Sequence, residues 1–137
     1  MERPLSPQNA LVLTMVLVSA ATGDMSDEEL GMMGRIVRQL PVFKDFDIDS
    51  LPEVGRQGAK MLREDEGLDS AMEAIAEALP TRLRETAYAL ACDVAAADSK
   101  LDQEELHLLE IIRHSLGIDR LNAAAIERGT RARFQTL

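Results

Sequence analysis

Aromatic side chains are nearly missing from this chain: phenylalanine, tyrosine and tryptophan together make 3% of it, and tryptophan is absent, although 46% is apolar. A core must then be assembled from Leu, Ile, Val, Met and Ala, which favour helices and pack well between them. Cysteine is scarce too. Cys92 stands alone, which excludes an internal disulfide or a CxxC redox pair, and its alanine-rich helical surroundings suit a small buried thiol. Positive charge is in deficit. With 24 acidic and 15 basic residues the net charge is −9, which repels phosphate backbones and anionic lipid, so neither nucleic acid nor membrane insertion is expected. Arg113, Arg120, Arg128, Arg131 and Arg133 do collect near the end, but without interleaved aromatics they read as solvated helix faces. There is no glycine-rich phosphate loop, no Ser/His/Asp series and no GxSxG, so the chain is read as no enzyme.

A bilayer-spanning run is also lacking. The most apolar stretch, ALVLTMVLVSAA (10–21), falls short of the roughly 20 residues a membrane span needs. Its VSA resembles a signal-peptidase site, but Glu2 offsets Arg3 and leaves the positive n-region weak. The stretch therefore reads as a core helix, and a cytoplasmic location is expected.

What is present is a repeat. Setting EEL at 28–30 over EEL at 104–106, an offset of 76 residues (28 to 104), aligns VSAATGDMSDEELGMMGRIVRQL (18–40) with VAAADSKLDQEELHLLEIIRHSL (94–116). Apolar positions coincide at Val18/Val94, Met25/Leu101, Leu30/Leu106, Met32/Leu108, Met33/Leu109, Ile36/Ile112 and Leu40/Leu116. The halves at 7–40 and 83–116 read as two copies of a helix-connector-helix unit.

Local signals place the helices. Ser6 with Pro7 opens a helix to about Thr22, apolar nearly all round and hence central. Its counterpart runs from about Thr81 to Ala97. The second helix of each copy begins with a capping box, SDEE (26–29) and DQEE (102–105), and is stopped by Pro41 or Gly117. Residues 42–49 read as a polar connector. Helices from about Ser50 to Glu64, Leu68 to Leu79 and Asp119 to Phe134 complete the set. The expectation is one compact all-α domain over 1–137, with about seven helices around a central helix pair.

The stretch AAADSKLDQEEL (95–106) raises a choice between a metal site and an acidic helix start. As an EF-hand beginning at Asp98 it fails, with Lys100 at position 3, Gln103 where glycine is needed and Leu109 where the bidentate Glu belongs. A start at Asp24 fails likewise, with Arg35 at position 12. A non-standard cation site remains, because Asp98, Asp102, Glu104 and Glu105 crowd a tight connector and hard cations favour clustered oxygens. Capping competes for the same residues, since Asp102 and Glu105 form a capping box and acids in a first turn complement the helix dipole. His107, Glu110 and His114 share one helix face, but without a general base between them they read as solvated, and the methionines read as core.

Together AAADSKLDQEEL (95–106), SAATGDMSDEEL (19–30) and LPTRLRE (79–85) resemble the TerB-like tellurite-resistance family over nearly the whole chain. The resemblance implies a duplicated all-helical fold and a non-enzymatic role in tellurite or general chemical stress. It further implies acidic connector residues that hold a divalent cation, Ca2+ or Mg2+, and a partner that is another stress-response protein. By position the metal residues would be Asp98, Asp102, Glu104 and Glu105 in the second copy and Asp24, Glu28 and Glu29 in the first. Thr22 stands where the first connector would carry Asp, and Ser99 replaces Gly in the second. The alternative is a helical interaction module whose acids only cap helices and keep it soluble.

Overall fold

A computed structural model describes residues 5–21, 25–97 and 103–137. Among the described residues all regular structure is helical: α1 (Pro7–Ala20), α2 (Asp27–Gln39), α3 (Leu51–Arg63), α4 (Gly67–Ala78), α5 (Arg84–Ala96), α6 (Gln103–Ser115) and α7 (Arg120–Arg133).

Helix α1 starts as its sequence dictates. The Ser6 hydroxyl accepts a hydrogen bond from the Asn9 amide at 3.1 Å, and Pro7 supplies a preset φ in the first turn. Every residue from Ala10 to Ser19 is buried. A helix apolar on all sides has no face to give to water, so it takes the centre, packed by α2, α3, α4, α5 and α6. Each fully buried Leu contributes about 1.5–3 kcal/mol relative to exposure. The one polar intruder in its middle, Thr14, donates its hydroxyl to the Ala10 carbonyl at 2.8 Å and is thereby satisfied.

Helix α5 lies against α1, and its small residues Ala87, Ala91 and Ala95 are buried. Helices α2 and α6 each touch both central helices; α3 lies on α1, α7 on α5, and α4 joins α1, α3 and α6. Matched positions carry matched tasks. Gln8 Nε2 donates to the carbonyls of Val42 and Lys44, both at 3.0 Å, just past α2. Arg84, 76 positions on (8 to 84), donates to the Leu116 carbonyl at 3.5 Å, just past α6, and to that of Ala76 at 3.0 Å. Leu30 and Leu106 match as well, but both are exposed, so this coinciding apolar pair is surface rather than core.

Helix α6 ends at Gly117, whose φ of 66° lets the Ile118 amide turn back to the Arg113 carbonyl at 3.1 Å. Helix α7 is capped by Asp119, which accepts from the Asn122 amide at 2.9 Å.

Two expected segments differ. Residues 42–49 are no plain polar connector: the chain makes 3-10 turns at Pro41–Phe43 and Ile48–Ser50, and Phe43 is buried with its ring edge-on to Phe46, centroids 5.4 Å apart. Aromatic rings three residues apart meet across such a tight turn. The second central helix begins at Arg84 rather than Thr81, because the Leu83 amide bonds the Pro80 carbonyl at 2.9 Å and tightens Thr81–Leu83 into a 3-10 turn.

Candidate functional site

The acid-rich start of α2 is a complete capping box. Ser26 Oγ accepts from the Glu29 amide at 3.1 Å, and Glu29 Oε1 accepts from the Ser26 amide at 3.4 Å. The same carboxylate oxygen accepts the hydroxyl proton of Ser19, in the last turn of α1, at 2.8 Å. Glu29 is 2% exposed, and its counterpart Glu105 is 3% exposed. Buried carboxylates belong with hydrogen-bond donors, and in the first copy the donors are Ser19 and the Ser26 amide. The second copy has Ala95 at the position of Ser19, so the bond from the end of the central helix is particular to the first copy.

Their neighbours face the other way, since Glu28 and Glu104 are exposed. Asp24, Asp98 and Asp102, with Thr22 and Ser99, lie outside the described residues. Both acid-rich starts meet the end of α1. Helix α2 does so through the Ser19–Glu29 bond, and α6 does so because Glu104 and His107 share a groove with Ala20 and Ala21.

That groove, about 490 Å3, is completed by Ala59, Leu62 and Arg63 of α3, Leu68 of α4, and Leu108 and Ile111 of α6. Sequence reasoning missed it, because the residues come from four helices whose angles no local pattern encodes. The only available signal was the Leu108/Ile111 spacing on α6.

Among the described residues no three His, Cys, Asp or Glu side chains gather as a metal site would require. His107, Glu110 and His114 are all exposed, as the solvated reading expected, and the Arg113 guanidinium donates to His114 Nε2 at 3.1 Å. Arg120, Arg128 and Arg131 are exposed too, whereas Arg133 departs from the purely solvated reading by pairing with Asp93, which also accepts from Thr130 at 3.0 Å.

Cys92 is buried, and burial pushes its thiol up to about 12, so it stays protonated at neutral pH. Burial, helped by its hydrogen bond to Glu127, also raises Tyr88. Both groups hold their protons more tightly folded than unfolded. Their stabilisation is complete below the unfolded values of about 8.5 and 10 and is lost as pH rises through the folded ones. The melting temperature should therefore fall as pH climbs above about 9, and Cys92→Ala should flatten the decline. Melts across the alkaline range check this, and an identical decline in the variant would contradict it.

The fold and this end of it define an all-helical domain with two acid-rich helix starts, that of α2 closed by a capping box, set beside one central helix. The family described as tellurite resistance protein TerB matches residues 8–128, and the chain belongs to that family. It matches no curated protein and no solved structure. No helix among the described residues is long and apolar enough to cross a membrane.

Proposed function

We propose that the chain is a non-enzymatic, cytoplasmic module of the response to tellurite or related chemical stress, and that it binds a divalent cation, Ca2+ or Mg2+, at its acid-rich end. One observation carries the reading: at matched positions one carboxylate turns inward (Glu29, Glu105) while its neighbour stays at the surface (Glu28, Glu104), beside connectors that contain Asp24, Asp98 and Asp102. An all-oxygen donor set suits hard cations. Glu28 and Glu104 alone supply too few ligands, so the connector aspartates must complete the shell, with Glu29 and Glu105 as supports beneath it. Direct handling of tellurite is disfavoured. It is an oxyanion facing a net charge of −9, and the single thiol is buried and protonated.

Calorimetric titration with Ca2+ and Mg2+ tests this. At about 100 times the dissociation constant, the ion should stabilise the fold by roughly 2.7 kcal/mol, and Asp98→Ala should remove the gain. Absence of any shift at millimolar ion would end the cation reading. Ser26→Ala should cost about 1 kcal/mol with or without ion, because it removes only a cap. The exposed carboxylates Glu28 and Glu104 also suit a second reading, an interaction module whose partner is another stress-response protein.

A further inference from the structure

Two surfaces of this molecule complement each other without forming one site. The first is the groove, where Leu62, Leu68 and Ile111 are only half-buried by their own chain. Ala20, Ala21 and Ala59 line it with short side chains that let another backbone approach closely. Acid dominates its edge. Glu64, Asp65 and Glu66 stand exposed in the turn between the lining residues Arg63 and Leu68, and Glu104 stands on α6, so four carboxylates outweigh Arg63 and the exposed Lys60.

The second surface is the outer side of α7, which contributes nothing to the groove. In a chain with a net charge of −9, this helix is the basic segment. Arg120, Arg128 and Arg131 are exposed, while its one acid, Glu127, accepts a hydrogen bond from Tyr88. Leu121, Ala125, Arg128 and Ala132 are all exposed and follow i, i+4, i+7, i+11 spacing, which makes one stripe along the helix. Leu121 is 79% exposed, the most solvent-accessible large apolar side chain among the described residues inside a helix.

We propose that α7 of one molecule docks in the groove of a second copy of this chain. Leu121 would be the apolar anchor, and Arg128 and Arg131 would lie toward the acidic rim, a helix-in-groove contact. The choice of a second copy rests on charge: a basic helix with an apolar stripe and an acid-rimmed apolar groove are both present on each molecule. The same rim repels an anionic membrane. Because the two surfaces are different, the contact is head-to-tail and builds chains or a closed ring rather than an isolated two-fold pair. It is independent of the cation reading.

Sedimentation velocity of the full chain in EDTA, with concentration raised toward millimolar, tests the proposal. Reversible self-association is expected, weakening as salt screens the charges. Leu121→Asp on α7 and Ile111→Lys in the groove should each weaken it at least ten-fold, with far-UV circular dichroism unchanged. Should Ile111→Lys fail to fold, the exposed Glu104→Lys serves as the groove variant. The decisive arm mixes the two variants: one still has an intact groove and the other an intact α7, so the mixture should form a heterodimer and stop there. A monomer at every concentration overturns the proposal. So does association that survives both single variants, that needs a divalent ion, or that strengthens with salt.

Discussion

Leu17→Ala is expected to lower the unfolding free energy by about 3–5 kcal/mol, the upper part of the range for a buried leucine. Leu17 is 0% exposed, on a helix hemmed in by α2, α3, α4, α5 and α6. A cavity there has no free wall that can collapse into it, so little of the lost packing is recovered. Total stabilities of single domains run about 5–15 kcal/mol, so one substitution would remove about a fifth or more. The urea midpoint should drop while the slope stays constant, since the surface exposed on unfolding hardly changes. Leu121→Ala is the contrast: that side chain is 79% exposed, and the change should stay within about 0.5 kcal/mol. Equal effects at the two sites would mean that α1 is not the centre.

Gly67→Ala should be nearly as damaging, for a different reason. A Cβ at Gly67 would sit 1.5 Å from the Met61 carbonyl oxygen and 2.6 Å from its carbon. Those are backbone atoms at the end of α3, with no rotamer to yield, so α3 and α4 must move apart. The turn has little slack, because Glu66 already holds a left-handed φ of 57° and the Gly67 amide is bonded to the Glu64 carbonyl at 3.0 Å. Overpacking of side chains costs about 1–3 kcal/mol, and a backbone clash belongs at or above the top of that range. Gly31→Ala on α2, where nothing lies within 4 Å, should instead be neutral or stabilise by up to about 1 kcal/mol through helix propensity. Paired urea melts decide it, and a mild effect at Gly67 would mean that the turn has room to relax.

The features readable from sequence were those that a few neighbouring residues decide. Ser6 with Pro7, the Ser26–Glu29 box, Pro41, Gly117 and Asp119 each start or stop a helix through hydrogen bonds or backbone angles set within one turn. The central place of α1 was also legible, because apolarity around a whole helix leaves no other position for it. Long-range consequences were hidden. The bond that ties Glu29 to Ser19 spans a connector that no local pattern bridges, and residues 42–49 look polar until Phe43 finds the core. The groove needs α3 and α4 set at particular angles to α1 and α6, which no periodicity records. The roles of Asp24, Asp98 and Asp102 rest on sequence and on the family, since these residues lie outside those described.

The burial of α1 has a consequence for synthesis. Helix α1 leaves the ribosome before α5, against which it packs, because α5 begins only at Arg84. At about 5–20 residues per second, a ribosome delivers α5 several seconds after α1. Throughout that interval the most apolar stretch of the chain can pair only with α2, α3 and α4, which leaves open the part of its circumference that α5 and α6 take later. The nascent chain therefore passes through a stage in which it offers a partly covered hydrophobic helix, a target for holding chaperones and for aggregation, which ends when α5 and α6 of the second copy arrive.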